Sequence, residues 1–589
     1  MPGKCQRSRE RTWTTKGRSP KTRARLSGSG RNVDTLAPLD DPGGMRGLFM
    51  WMGISIALVL GCSGSSPGPV AGKPIMPPPP SCAPSASGSS GAVQAPVLRM
   101  TLPGSWDENW FASPGLVDVN RDGVLDIVAA RHSVLYVYSG AGTLLWKTAF
   151  PSSAAGSPEH GEVRMWPSAV VGDLDGDGQV EIAVSGSPDA KGKNVAVYDR
   201  LGALLPGWPR SFGANEIRGI AAADVNGDGK MEILVAKQAE GPATNVFRLD
   251  GTNLPGFPQV GDRKPPRGDV IDYGGFNQNI GAGDLDGDGV LDVISTYDAI
   301  GFGVWHGDGT NFTTAADFAD AWVTGVEAYN DLTLAKQGWG TGDRSEFTYS
   351  PPVIADIDGN GSCEIVLAGD HEHTKSTANQ GVTTWVLNPD MTRPAGWEAP
   401  KNSGMPLVYG EIGDNIVMTM PSPSVANLDG LPGLEIIVPA YDGVLHAYRS
   451  NGEALWTYGF GQASPYVGAS EALIVDLNGD GSPEILFTTY SAGAPRTPKV
   501  PAHLIVLDAG GNLLHRIALP GRGSMAAPSV GDLDGDGQLE LVISLKDSLG
   551  GSDGGVQIWD LPGSATNCAP WPTGRGNALR QGYVPARAN

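Results

Sequence analysis

The sequence predicts an all-β protein whose folded part is a single β-propeller, with eight blades favoured and seven the alternative. Three observations carry that prediction. A short acidic phrase recurs eight times, its first residues 49 to 72 positions apart, which is a blade-sized period. Each recurrence is followed by a β-branched run, and usually by a second alternating segment with a Gly-containing turn between its arms. The composition, 84 Gly and 47 Pro in 589 residues with 7% aromatics, suits many short strands and turns.

From the N-terminus, residues 1–44 hold ten Lys and Arg against four Asp and Glu and lack apolar periodicity. They read as a disordered basic extension, or as upstream sequence joined to a start at Met45. Residues 45–61 read as a lipoprotein signal peptide. Gly47 to Leu60 is apolar but short for a membrane span, and it runs into Val59-Leu60-Gly61-Cys62, which resembles a bacterial lipobox. Acylation of Cys62 would supply the two or more buried chains that stable anchoring requires. The expected location is therefore a bacterial envelope, at the outer membrane or cell surface. Residues 62–94 are rich in Pro, Ser and Gly with little to bury, and read as a tether. Residues 95–589 are assigned to the propeller, expected to be a monomer.

The net charge is −21 although the first 44 residues are basic, so the remainder is more acidic still. Such a surface repels phosphate backbones, which excludes nucleic acid as a partner and invites a search for bound cations. Five cysteines, Cys5, Cys62, Cys82, Cys363 and Cys568, are too few for a disulfide scaffold.

The acidic phrase places Asp or Asn at positions 1, 3 and 5, Gly at 6 and Asp or Glu at 9. Position 7 varies, as expected of a residue that offers only its carbonyl. The candidate ligands are Asp118, Asn120, Asp122, Val124 and Asp126 in loop one, and Asp173, Asp175, Asp177, Gln179 and Glu181 in loop two. Loop three has Asp224, Asn226, Asp228, Lys230 and Glu232, and loop four Asp284, Asp286, Asp288, Val290 and Asp292. Loop five has Asp356, Asp358, Asn360, Ser362 and Glu364. Loop seven has Asp476, Asn478, Asp480, Ser482 and Glu484, and loop eight Asp532, Asp534, Asp536, Gln538 and Glu540.

Ca²⁺ takes six to eight hard oxygen donors in a flexible geometry, and this pattern supplies them on a tight turn. An EF-hand would put its acid at position 12 between helices, whereas here the acid is at 9 and strands follow. Loop six departs from the pattern. Leu431 and Pro432 stand at positions 5 and 6, leaving Asn427, Asp429 and Glu435, so this site should be weak or empty and about seven structural Ca²⁺ ions are expected.

These phrases, each between two strand signals, resemble the FG-GAP repeat, also called VCBS-like, of integrin α-subunit propellers and many bacterial surface proteins. The resemblance spans roughly Val97 to Val584. It implies one Ca²⁺ in the loop between two strands of each blade, held by the matching residues. The Phe-Gly and Gly-Ala-Pro signatures are poorly kept, with PSAVVG and AAPSVG in their place. In a closed propeller the termini meet, which allows a disulfide between Cys82 and Cys568 in an oxidising exterior. Cys363, inside loop five, reads as a small buried residue, and Trp571 to Gly582 looks like a closing segment.

For function, the anchor, the tether and the lack of a recognisable nucleophile-and-base set point to a non-catalytic binding, adhesion or scaffolding module. Its partner would be an extracellular protein or glycan. The alternative is a lyase-like, polysaccharide-active enzyme on the same propeller. Two long inter-repeat segments could build its cleft: Tyr297 to Ser350, with Trp305, Phe318, Trp322, Tyr329, Trp339 and Phe347, and Gly369 to Met420, with His371-Glu372-His373 and Trp385. Activity commonly resides in such loops, yet these aromatics fit blade interfaces better, and the His-Glu-His triplet lacks the i, i+4 spacing of a helical zinc site. A quinone-dependent dehydrogenase is weaker still. Only Trp146 and Trp456 follow a turn strand in the manner of that propeller family.

Overall fold

Four strands per repeat follow from the sequence pattern: a small-residue strand, the acidic loop, a β-branched strand, then a hairpin. A computed structural model describes residues 82–102, 111–152, 163–237, 244–259, 278–296, 301–312, 322–324, 343–346, 350–373, 381–390, 392–403, 421–440, 442–461, 467–491, 500–548 and 551–586. Among them the strands form eight antiparallel blades of a β-propeller.

The first strand, β1 (Val97–Leu102), belongs to the last blade. Blade one is β2 (Gly115–Val117), β3 (Asp126–Arg131), β4 (Val134–Tyr138) and β5 (Leu144–Ala149). Blade two is β6 (Val170–Gly172), β7 (Glu181–Ser185), β8 (Lys193–Asp199) and β9 (Arg210–Ser211). Blade three is β10 (Ile217–Ala223), β11 (Glu232–Lys237) and β12 (Thr244–Phe247), with Gln259 bridged to Thr244 at its rim. Blade four is β13 (Ile280–Gly283), β14 (Asp292–Thr296), β15 (Gly301–Trp305) and β16 (Trp322–Thr324).

In blade five, β17 (Asp343–Glu346) and β18 (Val353–Ala355) share one edge of the long β19 (Glu364–His373), followed by β20 (Gly381–Leu387) and β21 (Lys401–Ser403). Blade six is β22 (Ser424–Ala426), β23 (Glu435–Pro439), β24 (Val444–Tyr448) and β25 (Ala454–Gly459). In blade seven, β26 (Val467–Ala469) and β27 (Leu473–Val475) share an edge of β28 (Glu484–Ser491), then β29 (Ala502–Leu507) and β30 (Leu513–Leu519). Blade eight is β31 (Ser529–Gly531), β32 (Leu539–Leu545) and β33 (Gly555–Leu561), completed by β1 at its outer edge.

Burial explains the patterning. The second strand of each blade is sandwiched between neighbouring blades, so β7, β14, β23 and β32 are buried along their whole length. Their near-continuous Ile, Leu and Val content follows, each fully buried side chain stabilising by roughly 1.5–3 kcal/mol. The outer strands β5 and β30 each expose several side chains and are mixed in composition. The core is thus a ring of layers between blades; Val197 of blade two and Ile220 of blade three, for example, belong to one buried cluster.

Closure uses both ends of the chain. β1 pairs antiparallel with β33, from Val97 opposite Asp560 to Leu102 opposite Val556. Cys82 and Cys568 are joined as a disulfide. The segment after Cys568 then travels round the inside of the ring. Its carbonyls accept N–H groups of successive inner strands at 2.8–3.2 Å: Trp571 from Ile474, Pro572 from Val530, Ala578 from Val171, Leu579 from Ala222, Gln581 from Ala282 and Gly582 from Ile354. It ends as β34 (Tyr583–Val584), parallel to β18.

Two arginines of this inner belt reach the remaining blades. Arg575 Nη1 donates to Ser422 Oγ at 2.9 Å, and Arg580 Nη2 to the Pro114 carbonyl at 3.0 Å. The buried Glu471 carboxylate accepts from Trp571 Nε1 at 2.7 Å and from the Arg575 N–H at 2.6 Å. Every blade therefore touches one segment, and the closing role expected of Trp571 to Gly582 extends to the whole circle.

Candidate metal centres

Each acidic loop joins the inner strand of a blade to its second strand, so the eight loops lie at one end of the propeller. Adjacent loops are linked by backbone bonds, as in Met231 N–H to the Leu174 carbonyl at 2.8 Å and Leu434 N–H to the Ile357 carbonyl at 2.9 Å.

Loop two shows how the sequence builds the turn. Asp173 Oδ1 accepts the Gly176 N–H at 2.8 Å and Oδ2 accepts the Gly178 N–H at 2.9 Å. Asp177 Oδ1 accepts the Gln179 N–H at 2.8 Å, and Glu181 Oε2 reaches back to the Leu174 N–H at 2.9 Å. Folding the amides round Asp173 needs left-handed backbone at positions 4 and 6, with φ of 78° at Gly176 and 80° at Gly178. Position 4 is a signal that the sequence reading passed over. It is Gly in loops two to eight, and Arg121 takes φ 68° there in loop one.

The acid at position 9 is the first residue of the buried second strand in blades one to seven and the second residue in blade eight, and none of the eight is more than 6% exposed. Loss of water, and then the neighbouring carboxylates, push Glu181 and Glu232 up to about 7 and Glu364 and Glu484 up to about 8. Burial raises Asp126 in the same direction.

Carboxylate oxygens converge within 4.8 Å of one another in four loops: Asp173, Asp175 and Glu181; Asp284, Asp286 and Asp288; Asp356, Asp358 and Glu364; and Asp532, Asp534 and Glu540. In loop five the convergence has no internal partner at its deepest point. Glu364 is fully buried, its Oε2 accepts the Ile357 N–H at 2.7 Å, and its Oε1 has no hydrogen bond. A buried acceptor in that state is costly unless a cation or donor meets it. The donor set is oxygen only, which fits a hard divalent ion such as Ca²⁺.

Loops one, three and seven have Asn at position 3, and the amide N–H spans the acids. Asn120 Nδ2 lies 3.1 Å from Asp126 Oδ1, Asn226 Nδ2 2.7 Å from Glu232 Oε1, and Asn478 Nδ2 3.0 Å from Asp480 Oδ2. There a cation would be met by the amide oxygen once the amide plane turns over. Loop six closes on itself. Asn427 Nδ2 donates to the Leu431 carbonyl and, at 3.1 Å, to the Gly433 carbonyl, and Arg449 Nη1 lies 2.6 Å from Asp429 Oδ2.

The FG-GAP-like repeat family matches residues 118–184, 173–235 and 476–543, each match running from the first residue of one acidic loop through the next acidic loop and into the strand that follows it. The chain is an FG-GAP repeat propeller. No curated protein matches it. Solved structures that align with it include the V. cholerae biofilm matrix protein Bap1, 16% identical over 84% of this chain and 97% of that one, with a TM-score of 0.39. The quinohemoprotein alcohol dehydrogenase from Comamonas testosteroni is 13% identical over 80% of this chain and 77% of that one, with a TM-score of 0.45. The Bacillus licheniformis rhamnogalacturonan lyase PL11 is 13% identical over 80% and 92%, with a TM-score of 0.27. At these scores none of the three bears on what the FG-GAP propeller does.

Several residues outside the repeat phrase also matter. His306 Nδ1 lies 2.9 Å from Asp292 Oδ1 in loop four. It lines a cavity of about 740 Å³ between blades three and four, together with Arg248, Asn226, Asp228, Asp286 and Asp288. At four seams a tryptophan indole donates to a turn carbonyl of the next blade: Trp146 to Arg200 at 2.9 Å, Trp208 to Leu249 at 2.7 Å, Trp397 to Ser450 at 2.8 Å and Trp456 to Ala509 at 2.9 Å. Trp146 and Trp456 were visible as a pair in the sequence. Trp208 and Trp397 belong to the same device.

Loop seven is covered. Ser85 N–H donates to the Gly479 carbonyl at 2.8 Å and Ser90 N–H to the Asn478 carbonyl at 2.7 Å, so part of the segment read as a tether lies over these ligands. Of the inter-repeat segments, Trp305 and Trp385 are fully buried in the core shared by blades three to five. Trp322 is in β16, and His371-Glu372-His373 form the end of β19 paired with β17. Phe318, Tyr329, Trp339 and Phe347 lie outside the described residues, as does Cys62. Cys363 is buried and free.

Proposed function

We propose that this protein is a calcium-stabilised propeller that binds an extracellular protein or glycan without transforming it, held at a bacterial envelope by lipid on Cys62. The observation that carries the calcium reading is the unpartnered, fully buried Glu364 Oε1 beside Asp356 and Asp358. Loop five would hold the ion through Asp356, Asp358, Asn360, the Ser362 carbonyl and Glu364, with loops one to four and seven using the equivalent residues. Bound Ca²⁺ supplies positive charge that offsets carboxylate repulsion and fixes the loop.

The binding reading draws support from how the propeller is filled. The belt occupies the inside of the ring, which leaves the loop end and the groove between blades three and four as places for a partner. In that groove Arg248 and His306 stand beside the acids of loops three and four, a mixed lining suited to polar or anionic groups. The apolar segment before Cys62 supports the anchor.

Calorimetry on the full chain, with calcium and after its complete removal, tests the metal. The melting temperature should fall by several degrees without calcium and recover on its return; an unchanged value would sink the reading. A glycan array paired with a lyase assay tests the activity. Unsaturated product absorbance from an acidic polysaccharide would overturn the non-catalytic assignment.

A further inference from the structure

Loop eight holds an arginine among its acids. Arg99 of β1 places Nη2 2.9 Å from Asp534 Oδ2 and 2.9 Å from Glu540 Oε1, the acids of positions 3 and 9. Its Nε donates to Asp560 Oδ1. The backbone aims this side chain. The register of β1 on β33 passes from Leu98 opposite Trp559 to Met100 opposite Ile558, so Arg99 is the extra residue of a bulge, a device that redirects a side chain at a sheet edge.

Comparison with loop five shows what the guanidinium replaces. In both loops the outer oxygen of the position 9 acid accepts the N–H of position 2 at 2.7 Å, Ile357 in one and Leu533 in the other. The inner oxygen, Glu364 Oε1, is bare in loop five. Its counterpart Glu540 Oε1 is taken by Arg99. A guanidinium is permanently charged and presents its donors in a planar fork, so it satisfies two carboxylates at once. A divalent ion on the same two oxygens would sit against that positive charge. Loop six reaches a similar end by other means, its Asn427 amide facing the carbonyls of positions 5 and 7 and Arg449 holding Asp429.

We propose that Arg99 is the resident cation of loop eight, so that this loop is closed without metal and the chain holds six calcium ions, eight loops less the sixth and eighth. The proposal rests on the calcium reading of the other loops. It also gives the arrangement a use. β1 is the strand that completes the ring, and an arginine in place of an ion fastens it whether or not calcium is present.

Native mass spectrometry of the full chain in saturating calcium counts the ions. Wild type should carry six, Arg99→Met seven, and Asp532→Asn, which removes the first ligand of loop eight, still six. Seven ions on wild type, or the loss of one in Asp532→Asn, would overturn the assignment, as would an Arg99→Met protein that gains none. The Asp532→Asn arm stands alone if Arg99→Met does not fold. No ion on any loop would instead sink the calcium reading beneath it.

Discussion

Replacing Arg580 with alanine tests whether the inner belt holds the ring together. Arg580 is 1% exposed. Its Nε donates to the Ala169 carbonyl at 2.9 Å, Nη1 to Thr573 Oγ1 at 2.7 Å and the Gly574 carbonyl at 2.8 Å, and Nη2 to the Pro114 carbonyl at 3.0 Å. Arg580→Ala strips donors from all of these buried acceptors, at about 1–3 kcal/mol for each left unsatisfied. Water entering the vacated space recovers part of that, for a net loss of about 3–5 kcal/mol. Unfolding entropy near 2.1 cal/mol/K per residue gives roughly 1 kcal/mol/K for a propeller of this size, hence a fall in melting temperature of about 3–5 °C. Arg580→Lys keeps the charge but loses the fork, and should fall between. Calorimetry in saturating calcium reads the difference. A shift under 1 °C for Arg580→Ala would refute the idea that the belt ties the blades.

Trp397, 1% exposed and edge-on to Tyr448 at 6.0 Å between ring centres, should lose about 1 kcal/mol as Trp397→Phe and about 3–5 kcal/mol as Trp397→Ala. Equal losses by denaturant titration would show that packing of the indole does not hold the seam. Cys82→Ser should free the cover over loop seven, so hydrogen exchange at the Ser85 and Ser90 amides rises at least tenfold; unchanged protection would mean that the cover stays without the disulfide. Asn427→Asp turns a carboxylate toward the carbonyls of loop six and should cost about 2 kcal/mol in calcium-free buffer. Added calcium should restore the loss, and a calcium-independent deficit would count against the amide standing in for an ion.

The blades and their loops were legible because their determinants are local. Asp173, Gly178 and Glu181 sit within one turn of each other, and the strand that follows announces its burial by its composition. Loop six was legible for the same reason, since Leu431 and Pro432 break the phrase in place. What occupies that loop was not, because Arg449 looks like any surface arginine until β24 and its turn bring it to Asp429. Arg99 and Arg580 were hidden by distance, lying more than 400 residues from Glu540 and Ala169 respectively. The tryptophan seams left a partial trace. Leu205-Pro-Gly-Trp-Pro209 and Leu254-Pro-Gly-Phe-Pro258 are one phrase written twice, but the groups that Trp208 meets are main-chain atoms, which no side-chain pattern advertises.

The placement of positive charge separates two kinds of cohesion in this propeller. Among the described residues, loops one to five and seven gather carboxylates with no arginine bonded to them as Arg99 is in loop eight, and each acts within its blade or on the next. Around the point where the circle closes, the cations are part of the chain. Arg99 pins β1 to blade eight, Arg575 and Arg580 join the belt to blades one, two, four and six, and the Cys82–Cys568 disulfide ties the two ends covalently. A ring fails at its weakest seam, and the seam between the chain's own ends bears the loop-closure entropy of the whole circle. On the calcium reading, fastening that seam with arginines and a disulfide would keep it shut when calcium is scarce.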